Sequence, residues 1–137
     1  MATLRRESDT QGAALVELAI VTLILVLLTF GVMEYSWMFF RMNQVTNAAW
    51  TAARKGVLPD ATNADVQAAV DSMMASWGIP AGYTVTITPA DVAGLEPGTI
   101  VQVKIDVPTA NIELLGLSIL PLPGNLRAGA SLAKEGP

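Results

Sequence analysis

Residues 12–40 read GAALVELAIVTLILVLLTFGVMEYSWMFF. Between Glu17 and Glu34 lie sixteen residues, all apolar, Thr or Gly, without a charge or a proline. As a helix, residues 13–40 are long enough to cross a hydrocarbon core of about 30 Å with room for tilt. A chain of 137 residues has too little else to cover such a segment on every side. The run is therefore read as a transmembrane helix rather than a core helix.

That reading leaves about eighty residues to fold in water, a marginal size unless the domain borrows surface from the helix or from a partner. The net charge is −4 and no basic cluster exceeds a dipeptide, so no nucleic-acid footprint is expected. The chain has no cysteine, which excludes disulfides and thiolate metal sites. It also has no histidine, the commonest general base and transition-metal ligand. No enzyme, cofactor or metal site is expected. A catalytic reading would need paired acids, and Asp60, Asp65 and Asp71 qualify by type only, Asp65 and Asp71 being off one helix face. No acid-rich loop with a turn glycine suggests calcium.

The flanks set orientation. Arg5 and Arg6 precede the run, whereas Arg41, Arg54 and Lys55 follow it. The leading arginines favour a cytoplasmic N-terminus and an external C-terminal domain. A cleaved secretory signal would have a shorter apolar stretch followed by small residues. Here the run is followed by Tyr35, Trp37, Phe39 and Phe40, which suit an interfacial aromatic belt.

Glu17 is the informative residue. A carboxylate at mid-depth in a membrane helix costs about 2.5–3.5 kcal/mol, so it needs a partner or a reason. It could simply lie near the interface, reach back to water and benefit from the positive end of the helix dipole. Glu34 lies two turns before Arg41 on nearly the same face. It reads either as a solvated acid loosely paired with Arg41 or as a contact, together with Arg41, for a partner protein.

Gly12-Ala-Ala-Leu-Val-Glu17, behind a short basic leader, resembles the processing site of type IV prepilins. More narrowly, three features resemble the TadE-like minor pilins, or pseudopilins, of tight-adherence pilus systems. They are GA-x-x-VE at Gly12–Glu17, FG-x-x-EY at Phe30, Gly31, Glu34 and Tyr35, and N-A-A-x-x-A-A-R at Asn47–Arg54. Leu18 departs from the Phe or Tyr usual after the acid. The resemblance implies cutting by a prepilin peptidase between Gly12 and Ala13, which makes Glu17 the fifth residue of the mature chain. It also implies partners: other pilin or pseudopilin subunits, the inner-membrane assembly platform and membrane lipid. The new amine at Ala13 would need an anion among packed subunits, and Glu17 of a neighbour can supply it and fix axial register.

Further along, no Pro or Gly interrupts the helix before Gly56, read as its C-terminal cap. Ala48, Ala49, Ala52, Ala53 and Gly56 form small-xxx-small pairs suited to close packing on a helix or a sheet. A second helix is expected over 63–77, capped by Thr62 or Asn63, with Val66, Val70, Met73, Met74 and Trp77 on one apolar stripe. Alternation predicts strands over 83–88, 99–107 and 125–134. Residues 112–122, IELLGLSILPL, are too short to span a bilayer and read as an apolar patch for a partner or the membrane surface.

The fold class is thus α+β: a long N-terminal transmembrane helix runs into a small domain with a second helix and a three-stranded antiparallel sheet. The expected organisation is a leader over 1–12, removed on maturation, a transmembrane helix over 13–40 and an exported domain over 41–137. The function the resemblance implies is a structural minor pilin that primes or caps a pilus from the inner membrane. The alternative is an uncleaved, single-pass scaffold or binding module of an envelope complex.

Overall fold

A computed structural model of the chain describes residues 2–116 and 121–136, with side chains from residue 11 onward. The order of elements is helix α1 (Ala2–Gly56), helix α2 (Asn63–Ser76), strand β1 (Thr84–Thr88), strand β2 (Ile100–Pro108), a single 3₁₀ turn (Thr109–Asn111) and strand β3 (Asn125–Ala133). The α+β class, the long first helix and the three-stranded antiparallel sheet are those expected from the sequence. The chain forms two compact units, Met1–Ser36 and Trp37–Pro137, and the boundary falls within α1.

In the first unit α1 buries almost nothing. Every large apolar side chain from Leu15 to Leu28 is exposed, Leu15 by 67%. Thr29 donates its hydroxyl to the Leu25 carbonyl at 2.8 Å, so the run hides its own polar group. Leu15, Leu18, Ala19, Thr22, Leu23 and Val26 line one shallow groove along the helix, spaced as a single face.

The second unit is organised on the small-residue face of α1. Ala48, Ala49, Ala52 and Ala53 are fully buried in one core with Val66, Val70 and Met74 of α2 and Val101, Val103, Ile105 and Val107 of β2. Alanine on a helix permits close approach without loss of helix propensity. Gly56 is not the left-handed cap expected from the sequence, since its φ is not positive. It is the last helical residue. A Cβ there would come within 3.0 Å of Val66 and 3.3 Å of Val101, so its role is to let α2 and β2 close on the helix end.

Helix α2 ends one residue short of the expected span, at Ser76, with Trp77 as its C-cap. Thr62 is the N-cap: its hydroxyl accepts from the Asp65 amide, and Asp65 accepts from the Thr62 amide, a complete capping box. Hydrogen bonds from Thr62 hold the Asp65 carboxyl below the usual carboxylate range. Val66, Val70 and Met74 of the apolar stripe are buried, while Met73 and Trp77 pack at the core's margin.

The sheet is a meander of order β1-β2-β3 with both pairs antiparallel. Its inner face carries alternate residues, as a period of two requires. Leu126, Ala128 and Ala130 of β3 lie against the four β2 apolar residues, whereas Arg127, Gly129 and Ser131 face outward. Ile100, out of phase with the other apolar residues of β2, is 58% exposed at the start of the strand. Tyr83 precedes β1 instead of opening it, and its hydroxyl donates to Asp71 of α2 at 2.7 Å.

Lys134, next to the exposed end of β3, is only 4% exposed. Its ammonium donates to the carbonyls of Gly56 (3.3 Å), Leu58 (2.6 Å) and Val92 (3.1 Å). The adjacent Glu135 amide donates to the Val57 carbonyl at 2.9 Å. Residues 134 and 135 thus satisfy three successive carbonyls at the C-terminus of α1, where a cation is also favoured by the helix dipole.

Two expectations follow. Lys134→Met leaves buried carbonyls without donors and lowers the stability of this unit by about 2–3 kcal/mol, measured by denaturant unfolding followed by tryptophan fluorescence. Burial, then the bond to Asp71, raises the Tyr83 phenol from 10.0 to about 12. The unfolded chain loses this proton first, so stability falls as pH rises from about 10 towards 12. Ultraviolet titration in a Tyr35→Phe background should show the high midpoint, and Asp71→Asn should lower it.

Candidate functional site: the apolar helix and its acids

Gly12 and Ala13 lie in exposed helix, and a Cβ built on Gly12 meets nothing within 4 Å. Its backbone is helical and its φ is not positive, so neither packing nor conformation of the folded chain requires a glycine there. Glu17 is exposed on α1, and no hydrogen bond or ion pair engages it among the described residues. The side chains of Arg5 and Arg6, on which the expected orientation rests, lie outside the described residues.

Glu34 is not the solvated acid that one reading of the sequence allowed. It is 1% exposed and engaged in a polar interaction. Arg41 donates from Nη1 to the Gln44 Oε1 at 2.9 Å and to the Trp77 carbonyl at 2.9 Å. Its guanidinium carbon lies 4.6 Å from the centroid of the Trp37 ring. Trp77 is the C-cap of α2, so Arg41 closes that helix as Lys134 closes α1. The only buried side-chain nitrogen or oxygen without a partner among the described residues is Arg41 Nε. A planar donor fork on an indole face explains this geometry, because the ring takes one face while Nη1 reaches two acceptors.

The aromatic residues divide in the same way. Tyr35, Phe39 and Phe40 are 46%, 71% and 51% exposed. Trp37 is half-buried, and its indole nitrogen donates to the Ile112 carbonyl at 2.8 Å. Ile112 itself is buried, while Leu114 and Leu115 are 43% and 39% exposed. Residues 117–120 of the apolar stretch lie outside the described residues. The sequence signals for Trp37 and Arg41 were present, an indole and a guanidinium four residues apart, but their acceptors are backbone carbonyls distant in sequence.

Two of the acids considered for catalysis, Asp65 and Asp71, make structural contacts. Asp65 completes the α2 capping box, and Asp71 accepts from Gln67 and Tyr83.

A long apolar helix that exposes its apolar surface and continues into a small α+β unit fits a membrane protein with one candidate span. The helical stretch is long and apolar enough to cross a membrane, with a mean hydropathy of 2.7 over its best window. Residues 12–54 match the family described as TadE-like protein. No curated protein and no solved structure matches the chain. The match covers Gly12, the apolar run and the alanine-rich face of α1.

Arg41→Met should destabilise the second unit by about 1–2 kcal/mol through loss of the α2 cap and the indole contact. Arg41→Lys should recover only part of this, because an ammonium lacks the fork. Urea unfolding of the two variants beside the parent chain checks the order.

Proposed function

We propose that the protein is a structural minor pilin, or pseudopilin, of a tight-adherence pilus, processed after Gly12 by a prepilin peptidase. It acts as a subunit rather than a catalyst, primes or caps the pilus, and sits in the inner membrane with its C-terminal unit outside. The observation that carries this is the exposed apolar surface of α1 headed by an acid, Glu17, with no partner among the described residues. A lone helix with that surface must be covered by lipid or by other helices. Glu17 is favourably held only if water, the interface or a cation from another molecule meets it.

Cutting between Gly12 and Ala13 supplies such a cation. The new α-amine lies on the chain four residues before Glu17. Across a subunit contact, the amine of one copy and the carboxylate of the next neutralise one another, and the pair sets the axial step between subunits. Gly12 supports the same reading, because the folded chain makes no demand for glycine at that position. A peptidase that must take up an extended backbone gains from a residue without a side chain there. The groove from Leu15 to Val26, with Ala19 and Thr22 at its centre, offers a neighbouring helix a close approach.

Mass spectrometry of the N-terminus, in cells with and without the peptidase, tests processing. A mature chain beginning at Ala13 is expected only with the peptidase, and a start at Met1 or Ala2 in both strains overturns the proposal. Glu17→Ala should leave membrane insertion intact and abolish co-purification with other subunits. Unchanged co-purification would favour the uncleaved scaffold.

A further inference from the structure

We propose that the loop carrying Leu114 and Leu115 is a second membrane contact, held against the headgroup–acyl boundary by its bond to Trp37. This rests on the reading that the apolar run of α1 lies in lipid. Trp37 follows that run directly in the chain, at the depth where an indole with a bonded N–H is most at home. Its indole nitrogen fixes the carbonyl of Ile112, and Ile112 is buried. Leu114 is two residues further on, so its Cα lies within about 7 Å of that of Ile112. The anchored end of the loop therefore brings both exposed leucines close to Trp37.

The neighbouring surface has the same chemistry. The Phe40 ring is 5.7 Å from the Trp37 ring, and Phe39 and Phe40 are the most exposed aromatics of this unit. Arg41 lies over the opposite chemistry of the indole, its face, and provides a positive charge beside it. Exposed aromatic and aliphatic side chains with one guanidinium among them are what a headgroup layer accommodates. The exposed carboxylate of Glu113 sits immediately before the two leucines and limits how deep they can go. They rest at the boundary and do not enter the core.

A second copy of the chain fits the patch less well. A stable protein interface removes about 800 Å² from each partner, whereas two half-exposed leucines and two phenylalanines offer a few hundred Å² at most. Lipid needs no matched shape, and it is already adjacent if the run of α1 is inserted.

The chain has no cysteine, so single labelling sites can be introduced cleanly. Leu114→Cys, Ser131→Cys on the outward face of β3 and Leu23→Cys in the apolar run are each labelled with an environment-sensitive fluorophore. The full-length chain is reconstituted in phosphatidylcholine–phosphatidylglycerol vesicles. The label at 114 should be quenched several-fold more than that at 131 by lipid spin-labelled near the headgroup, and the label at 23 by lipid spin-labelled deep in the chain. If the label at 114 is as open to an aqueous quencher as that at 131, the proposal is wrong. If it is shielded from both water and lipid, a second copy or another protein covers it, and the proposal is again wrong. If the label at 23 escapes the deep quencher, the membrane reading itself fails and this inference falls with it.

Discussion

A single helix cannot cover its own side chains, and α1 must therefore find two different coverings along its length. From Leu18 to Leu28 each large side chain is apolar and exposed, and the backbone groups are satisfied within the helix. Only a medium that asks for no hydrogen bonds, lipid or the apolar flank of another helix, suits that stretch. From Val45 to Gly56 the same helix turns small residues inward and becomes the floor of a core. The change is one of side-chain size and not of backbone: bulk outward where the covering is fluid, alanine inward where a valine-rich sheet must fit.

The rest of the second unit answers the ends that the two helices leave open. Each helix C-terminus presents carbonyls without internal donors. At α2, Arg41 reaches the Trp77 carbonyl; at α1, Lys134 and the Glu135 amide reach three carbonyls in a row. Both cations come from elsewhere in the chain, so each cap is also a tertiary tie. In a unit with no disulfide these ties complement the apolar core, which is small because the sheet has three strands and α2 only fourteen residues.

Patterns with a short period were legible from the sequence. The apolar run, the α2 stripe and the alternation of Val101, Val103, Ile105 and Val107 each repeat within a few residues, and they specified helix, helix and strand. The sequence offered Thr62 or Asn63 as the α2 cap, and the structure uses Thr62 together with Asp65. Lys134 could not be read, because a lysine at the end of an alternating strand looks like solvated charge until its three acceptors are known. For Arg41 the sequence pointed to the nearest acid on its helix, Glu34, and gave no sign of the carbonyl thirty-six residues away that accepts from it. Trp37 looked like one more ring of a belt, and only the fold reveals its acceptor at Ile112. Gly56 was read by its habit of ending helices, while its actual service is to make room for Val66 and Val101.

The lysine cap also imposes an order of events. It joins residue 134 to residues 56 and 58, across a separation of 78 and 76 positions. Almost the whole unit must therefore have been made before α1 gains this cap. Until then the last carbonyls of that helix lack these donors. The closing of the helix is in this way left to the far end of the unit: the residues that follow β3 latch the last turn of α1.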